Sequence, residues 1–108
     1  MLFVETSHFT ARVHDYLTDE EYRRLQWLLA DHPDSGAVIS GTGGLRKIRW
    51  STTGRGKRGG VRVIYYWRPA RNRVCLLTLY GKNVKDDLTS SERRAWRHVL
   101  EEIENDST

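Results

Sequence analysis

Three segments rich in β-branched and aromatic residues follow one another in the middle of this 108-residue chain. They are Leu45–Trp50, Val61–Trp67 and Val74–Tyr80. Ser51–Gly60, which holds four glycines, separates the first two, and Arg68–Arg73, which contains a proline and an asparagine, separates the last two. Connections rich in turn residues between β-prone segments indicate hairpins. The pattern therefore predicts an antiparallel meander, with Ser51–Gly60 as a hairpin loop.

A β-prone segment and two amphipathic helices are predicted before the meander. Leu2–Val4 is short, apolar and typical of a strand, and Thr6 or Ser7 can cap the helix that follows. The apolar stripes of the two helices consist of Phe9, Val13 and Tyr16 in the first and Tyr22, Leu25, Leu28 and Leu29 in the second.

Two capping boxes mark helix starts on either side of the meander. Thr18 with Glu21, and Thr89 with Glu92, have the spacing at which a hydroxyl and a carboxylate satisfy free N–H groups at a helix terminus. The second box opens a helix with Trp96, Val99, Leu100 and Ile103 on one face. The predicted order is β-α-α-β-β-β-α, an α+β fold in one domain, residues 1–108, with the helices packed on one face of the sheet.

The charge of the chain is strongly segregated. Between Ser35 and Lys85 there are twelve Lys or Arg residues and no Asp or Glu, although the net charge of the whole chain is only +4. Seven acidic residues lie before this acid-free segment and seven after it. A solvated surface usually mixes both signs of charge. Cations without acidic neighbours in the sequence favour a polyanionic partner over a merely soluble surface.

Strand alternation predicts where this charge lies. Ile48 and Trp50 share one face of their strand, so Lys47 and Arg49 lie on the other, together with Arg62 of the next strand. If the helices cover one face, these cations converge on the open one. The remaining candidates are Arg46 in the same strand as Lys47, Arg55, Lys57 and Arg58 in the loop above it, and Tyr80, Lys82 and Lys85 at the far end. Arginine planes and tyrosine rings suit single-stranded RNA.

Other functional classes receive little support from the sequence. His8, His14, His32 and His98 show no metal-binding spacing, so no metal site and no cofactor are predicted. Gly41–Gly44 lacks the Gly-Lys-Ser/Thr ending of a P-loop. No apolar segment approaches the ~18 residues of a membrane span, and the start lacks signal-peptide features. The lone cysteine, Cys75, is expected to be a buried thiol of a cytoplasmic protein.

Three blocks of the sequence resemble the RelE/ParE superfamily, and most closely the HigB-type toxins of bacterial toxin–antitoxin modules. They are Gly41–Arg49, Gly56–Tyr66 and Leu76–Asn83, in that order, and the similarity extends over nearly the whole chain. The resemblance implies a RelE-like fold and a ribosome-dependent, metal-free endoribonuclease that cleaves mRNA in the ribosomal A site. It also implies a cognate antitoxin, typically a helix-turn-helix DNA-binding protein, and contacts with ribosomal RNA.

The resemblance also assigns roles to residues. Lys47-Ile48-Arg49 corresponds to the Lys-x-Lys pattern of RelE, and Arg62 to the arginine before its next strand. The family has Gly-Lys-Arg and then a tyrosine after the last strand, whereas this chain has Gly81-Lys82-Asn83 and then Asp87-Leu88. Tyr80, Lys82 and Lys85 are the candidates for the missing functions. The resemblance thus implies catalytic roles for Lys47, Arg49 and Arg62, and proximity adds Tyr80 and Lys82 as catalytic candidates. The remaining cations of the predicted basic face and its loop are the candidates for RNA or ribosome contacts: Arg46, Arg55, Lys57, Arg58 and Lys85.

Two further functions stay open from the sequence. The same superfamily includes ParE-like toxins that inhibit DNA gyrase without cutting RNA. A catalytically degenerate module that binds only nucleic acid or antitoxin is the other alternative.

Overall fold

The computed structural model describes residues 1–51 and 60–105, which form a five-stranded sheet with helices on both faces. The elements are β1 (Leu2–Glu5), α1 (Ser7–Tyr16), α2 (Asp19–Asp31), β2 (Ala37–Val38), β3 (Arg46–Trp50), β4 (Val61–Arg68), a 3-10 turn (Pro69–Arg71), β5 (Arg73–Gly81) and α3 (Ser90–Asn105). The predicted α+β class and element order are confirmed. The short strand β2 is an addition that the sequence did not indicate.

The central strands form the predicted meander. β3 runs antiparallel to β4, and β4 runs antiparallel to β5. β1 lies parallel to β5 at one edge, β2 lies antiparallel to β3 at the other, and the strand order is β1-β5-β4-β3-β2. The sheet is therefore mixed.

Both predicted capping boxes are present. Thr18 Oγ1 accepts from the Glu21 N–H at 3.1 Å, while Glu21 Oε1 accepts from the Thr18 N–H at 2.8 Å. The corresponding distances at Thr89 and Glu92 are 3.1 and 2.9 Å. These bonds fix the first residues of α2 and α3, because they satisfy N–H groups that have no partner within the helix.

The two N-terminal helices cover one face of the sheet, as predicted. Phe9 and Val13 of α1 and Leu25 and Leu29 of α2 pack against the side chains of the central strands. Tyr65 lies in this core, and its hydroxyl donates to the Pro33 carbonyl and accepts from the Gly36 N–H, both at 2.8 Å. A Cβ on Gly36 would approach the Tyr65 ring to 2.7 Å, so this close approach requires glycine.

The C-terminal helix packs on the opposite face, so the prediction of one open face is wrong. Leu100 and Trp96 of α3 lie against Ile64, Cys75 and Leu77. The physical reason is the alternation of the strands, because β4 and β5 carry apolar side chains on both faces and both need cover. The Arg49 side chain on this face stays largely exposed, so α3 does not cover the whole face. Within the described residues, no helix is long and apolar enough to cross a membrane.

Candidate functional site

Lys47, Arg49 and Arg62 are brought together on the face that α3 only partly covers. Arg49 of β3 lies directly opposite Arg62 of β4 in the antiparallel register. Like charges in such a pair repel each other. Arg62 is also only 3 % exposed, and a buried guanidinium requires an opposite charge close by. The pair therefore needs an anion at this position.

The anion is the carboxylate of Asp86, in the connection between β5 and α3. Arg62 Nε donates to Asp86 Oδ1 at 2.9 Å, and Arg62 Nη2 lies 2.9 Å from the same oxygen. Arg49 Nη2 lies 3.8 Å from Asp86 Oδ2. The hydrogen bond from Arg62, together with the positive charges of Lys47, Arg62 and Arg49, holds the pKa of Asp86 below its ordinary value. Asp86 is thus an ionised counterion shared by the arginines.

Lys47 is held by the same connection. Its Nζ donates to the Asp86 carbonyl oxygen at 3.1 Å and forms an ion pair with the Asp87 carboxylate. The cations of the acid-free segment lack acidic neighbours in the sequence, but in the fold they have acidic partners from outside that segment. The chain turns back directly after that segment, so that Asp86 and Asp87 meet cations that lie 24 to 40 residues away.

Tyr80 adds a hydroxyl group to the cluster. It lies opposite Arg62 across β4 and β5, and its hydroxyl donates to the Asp86 carbonyl at 3.3 Å. Burial, followed by the negative charges of Asp87, Glu92 and Asp86, raises the pKa of Tyr80 to about 12. The phenol therefore keeps its proton at neutral pH and is suited to donate a proton.

Lys85 connects the cluster to the start of α3. Its Nζ forms an ion pair with Glu92, and it lies 4.9 Å from the centre of the Tyr80 ring. The hydrogen bond from Lys85, with the capping contact to Thr89, lowers the pKa of Glu92. The carboxylate of the capping box therefore has two functions, since it also positions Lys85 over the ring.

Other candidates lie away from this cluster. Arg46 lies on the opposite face of β3, where its Nη1 donates to the Asp34 and Gly36 carbonyls at 3.1 and 2.8 Å. Lys82 is exposed just past the end of β5, and its backbone N–H donates to the Gly60 carbonyl at 3.2 Å. The three loop candidates, Arg55, Lys57 and Arg58, lie outside the described residues.

Asp86 and Asp87 are the site residues that sequence reasoning missed. Their position in the sequence could have indicated them. They are two adjacent acidic residues directly after the acid-free segment and shortly after β5, the strand that pairs with β4. The cluster they complete holds two carboxylates among two guanidinium groups, an ammonium group and a phenol. Such a set of donors also fits a phosphate, since arginine binds carboxylate and phosphate with the same geometry. Within the described part of the chain, no three potential metal ligands are grouped.

No protein-family model matches the sequence. Among solved structures, an arginine-to-alanine double mutant of the E. coli toxin RelE in the free state superposes with a TM-score of 0.60 at 13 % identity, over 88 % of this chain and 95 % of RelE. The isolated E. coli RelE toxin gives 0.55 at 12 % identity, over 91 % of this chain and 97 % of RelE.

The chain has the RelE fold. A structure of the intact E. coli RelBE toxin–antitoxin complex is also similar, with a TM-score of 0.55 at 12 % identity, over 72 % of this chain and 92 % of the matched one. The RelE-like fold expected from the three sequence blocks is thereby confirmed. The assignment to the HigB type stays a prediction.

Proposed function

We propose that this chain is the toxin of a type II toxin–antitoxin module, a ribosome-dependent endoribonuclease that cleaves mRNA in the ribosomal A site and so stops translation. One observation carries the proposal: on a RelE fold, Arg62 and Arg49 converge on the Asp86 carboxylate, while Lys47 and the Tyr80 hydroxyl donate to the backbone carbonyl of the same residue. The sequence resemblance assigns catalytic roles to Arg62, Arg49 and Lys47, and Tyr80 is a candidate for the missing proton donor.

The proposed chemistry is an internal transfer at phosphorus. The ribose 2′-OH attacks the adjacent phosphate, the bond to the 5′ oxygen breaks, and the products carry a 2′,3′-cyclic phosphate and a 5′-OH. Arg62 and Arg49 would stabilise the negative charge that develops on the phosphate oxygens, because preformed donors act strongly in a partly buried site. Tyr80 would give its proton to the leaving 5′ oxygen. Lys47, an ammonium group paired with Asp87, would add positive charge beside the phosphate, and the 2′-OH proton would pass to water.

The scissile phosphate would have to replace Asp86. The Asp86 side chain keeps 46 % of its surface in water, so a competing anion can approach it from solvent. An exchange of one oxyanion for another leaves the buried charge of Arg62 compensated throughout. A strand that the ribosome holds in an unstacked form would bring its phosphate to this position without a further ordering cost.

The proposed partners follow from the same assignment. The structure of the RelBE complex is that of a toxin with its antitoxin, and we propose an antitoxin for this chain, with a helix-turn-helix DNA-binding part. The ribosome, mRNA and ribosomal RNA would be the other partners, and the cytoplasm is the proposed location. No metal ion or cofactor enters the proposed reaction.

The experiment compares Arg62→Met with Arg24→Met, which changes an exposed arginine of α2. Each protein is induced in cells, growth is followed, and the 5′ ends of mRNA are mapped. The unaltered chain and Arg24→Met should stop growth and produce new ends within translated codons, whereas Arg62→Met should do neither. Codon cuts that persist at full level in Arg62→Met would disprove the assignment of Arg62.

The neutralised cluster favours a second candidate, a toxin that binds without cutting RNA. Asp86 already compensates the cations, and Gly81-Lys82-Asn83 lacks the second arginine of the RelE pattern. A ParE-like gyrase inhibitor would stop growth with damaged DNA and intact mRNA. A degenerate module that binds only its antitoxin or nucleic acid would leave growth unaffected.

A further inference from the structure

A cavity of about 300 Å³ lies beside the cationic cluster, between α1 and α3. Its floor is the end of β5, since β1 pairs with β5 only as far as Leu76 and no other described strand borders β5 on that side. Its walls are two stripes of side chains spaced four residues apart, His8, Arg12 and Tyr16 on one side and Leu88, Glu92 and Trp96 on the other. His8, Arg12 and Tyr16 share one face of α1, and Glu92 and Trp96 share one face of α3 with Leu88 just before that helix, so the cavity is a slot between two stripes.

The walls of this slot combine aromatic rings with hydrogen-bond donors. The His8 and Trp96 rings meet edge to face, with their centres 5.3 Å apart. Arg12 and Lys85 supply positive charge at the rim. Burial, followed by the charges of Arg12 and Lys85, lowers the pKa of His8. At neutral pH the His8 ring is therefore uncharged and offers a stacking face with one donor and one acceptor.

The slot and the cationic cluster share two residues. Tyr80 lies on the floor of the slot, directly opposite Arg62, and donates its hydroxyl proton to the Asp86 carbonyl. Lys85 lines the slot and lies over the Tyr80 ring. An anion that replaced Asp86 would therefore lie beside Tyr80, which also lines the slot.

We propose that this slot binds one unstacked nucleobase of the RNA strand whose phosphate occupies the Arg62 cluster. The inference rests on the proposed function, because it requires RNA as the substrate. A volume of about 300 Å³ is at the lower end of the range for small-molecule sites, which suits a single base and excludes a folded protein segment. Aromatic rings with cations beside them are the usual surroundings of a base removed from its stack.

The test measures binding of a short RNA strand in which a 2′-deoxy nucleotide prevents cleavage. Affinity is determined for the unaltered chain and for His8→Ala, which removes one wall of the slot. His14→Ala, an exposed histidine of the same helix, is the matched control. A second strand lacks the base next to the 2′-deoxy position. His8→Ala should weaken binding of the complete strand on the order of tenfold. It should leave binding of the strand without the base unchanged, and His14→Ala should change neither.

A second measurement follows the indole N–H signals of the tryptophans by NMR during titration with the same strand. The Trp96 signal should shift, and that of Trp27, which is exposed on α2, should not. The inference fails if Trp96 does not respond up to the solubility limit of the strand, or if His8→Ala weakens both strands equally. Loss of binding in Arg62→Met with no effect of His8→Ala would overturn the base slot and leave the proposed function standing. Binding that neither variant changes would count against both.

Discussion

The ion pair between Arg62 and Asp86 is asymmetric, and the asymmetry gives a prediction about stability. Arg62 is 3 % exposed, whereas the Asp86 side chain keeps 46 % of its surface in water. Arg62→Met removes the buried charge and leaves a carboxylate that water can solvate. Exchange of a buried charge for an apolar side chain of similar size is often neutral or stabilising. We therefore expect the free energy of unfolding of Arg62→Met to stay within about 1 kcal/mol of that of the unaltered chain.

Removal of Asp86, the exposed partner of the pair, should affect stability differently from removal of Arg62. Asp86→Ala leaves the Arg62 guanidinium buried and removes the carboxylate that accepts its Nε hydrogen bond. Removal of one partner is strongly destabilising when the charge left behind is the buried one. Asp86→Ala should therefore lower the free energy of unfolding more than Arg62→Met does.

Urea denaturation followed by tryptophan fluorescence measures both variants, and an unchanged m value shows that the midpoints report stability. Arg97→Met is the control, because Arg97 forms an exposed pair with Glu101 at 3.6 Å and should change little. A greater loss for Arg62→Met than for Asp86→Ala would refute the argument, since it would mean that the arginine stabilises the fold by itself.

The same pair should also make stability depend on pH. The pKa of Asp86 is lower in the folded protein than its ordinary value, mainly because Arg62 donates a hydrogen bond to it. The ionised Asp86 carboxylate therefore contributes fully to the free energy of unfolding above the ordinary carboxyl pKa of about 3.9. This contribution is lost as the pH falls through the lower pKa of the folded protein. The difference in stability between the unaltered chain and Asp86→Ala should accordingly narrow in acid.

Other changes test the proton donor, a helix cap and the core. Tyr80→Phe removes the proposed donor to the 5′ oxygen and should slow RNA cleavage about 100-fold or more, with folding retained. Because the pKa of Tyr80 is about 12, loss of its proton should reduce activity only in strong alkali. Thr89→Ala removes the capping hydrogen bond from the Glu92 N–H and should lower the free energy of unfolding, measured by urea denaturation, by about 1 kcal/mol. Tyr65→Phe removes two hydrogen bonds of 2.8 Å and should lower the free energy of unfolding in the same measurement by about 1–3 kcal/mol.

The features that could be predicted from the sequence are those with a local signal. A capping box consists of residues three positions apart, so both boxes were found with their helix starts. Strand alternation placed Lys47 and Arg49 on one face, and the register then brought Arg62 to it. The same alternation places Arg46 on the other face of the strand, so its separation from the cluster could also be predicted from the sequence.

Long-range features had no such signal. The apolar stripe of α3 shows that the helix is amphipathic, and it does not show which face of the sheet receives it. The parallel pairing of β1 with β5 joins segments about 70 residues apart in the chain, and short strands of similar composition pair equally well in several orders. The return of Asp86 to Arg62 depends on the course of a short connection, which charge counts along the chain do not describe.

Cleavage on ribosomes programmed with a defined A-site codon tests the central claim most directly. The unaltered chain should cut within that codon and leave a 5′-OH on the downstream fragment. A single 2′-deoxy substitution at the cut position should abolish the reaction, because the attacking hydroxyl is then absent. Arg62→Met should cut neither message, although we expect it to fold with nearly the stability of the unaltered chain. Cleavage of the 2′-deoxy message, or full activity of Arg62→Met, would contradict the proposal that the Arg62 cluster holds the scissile phosphate.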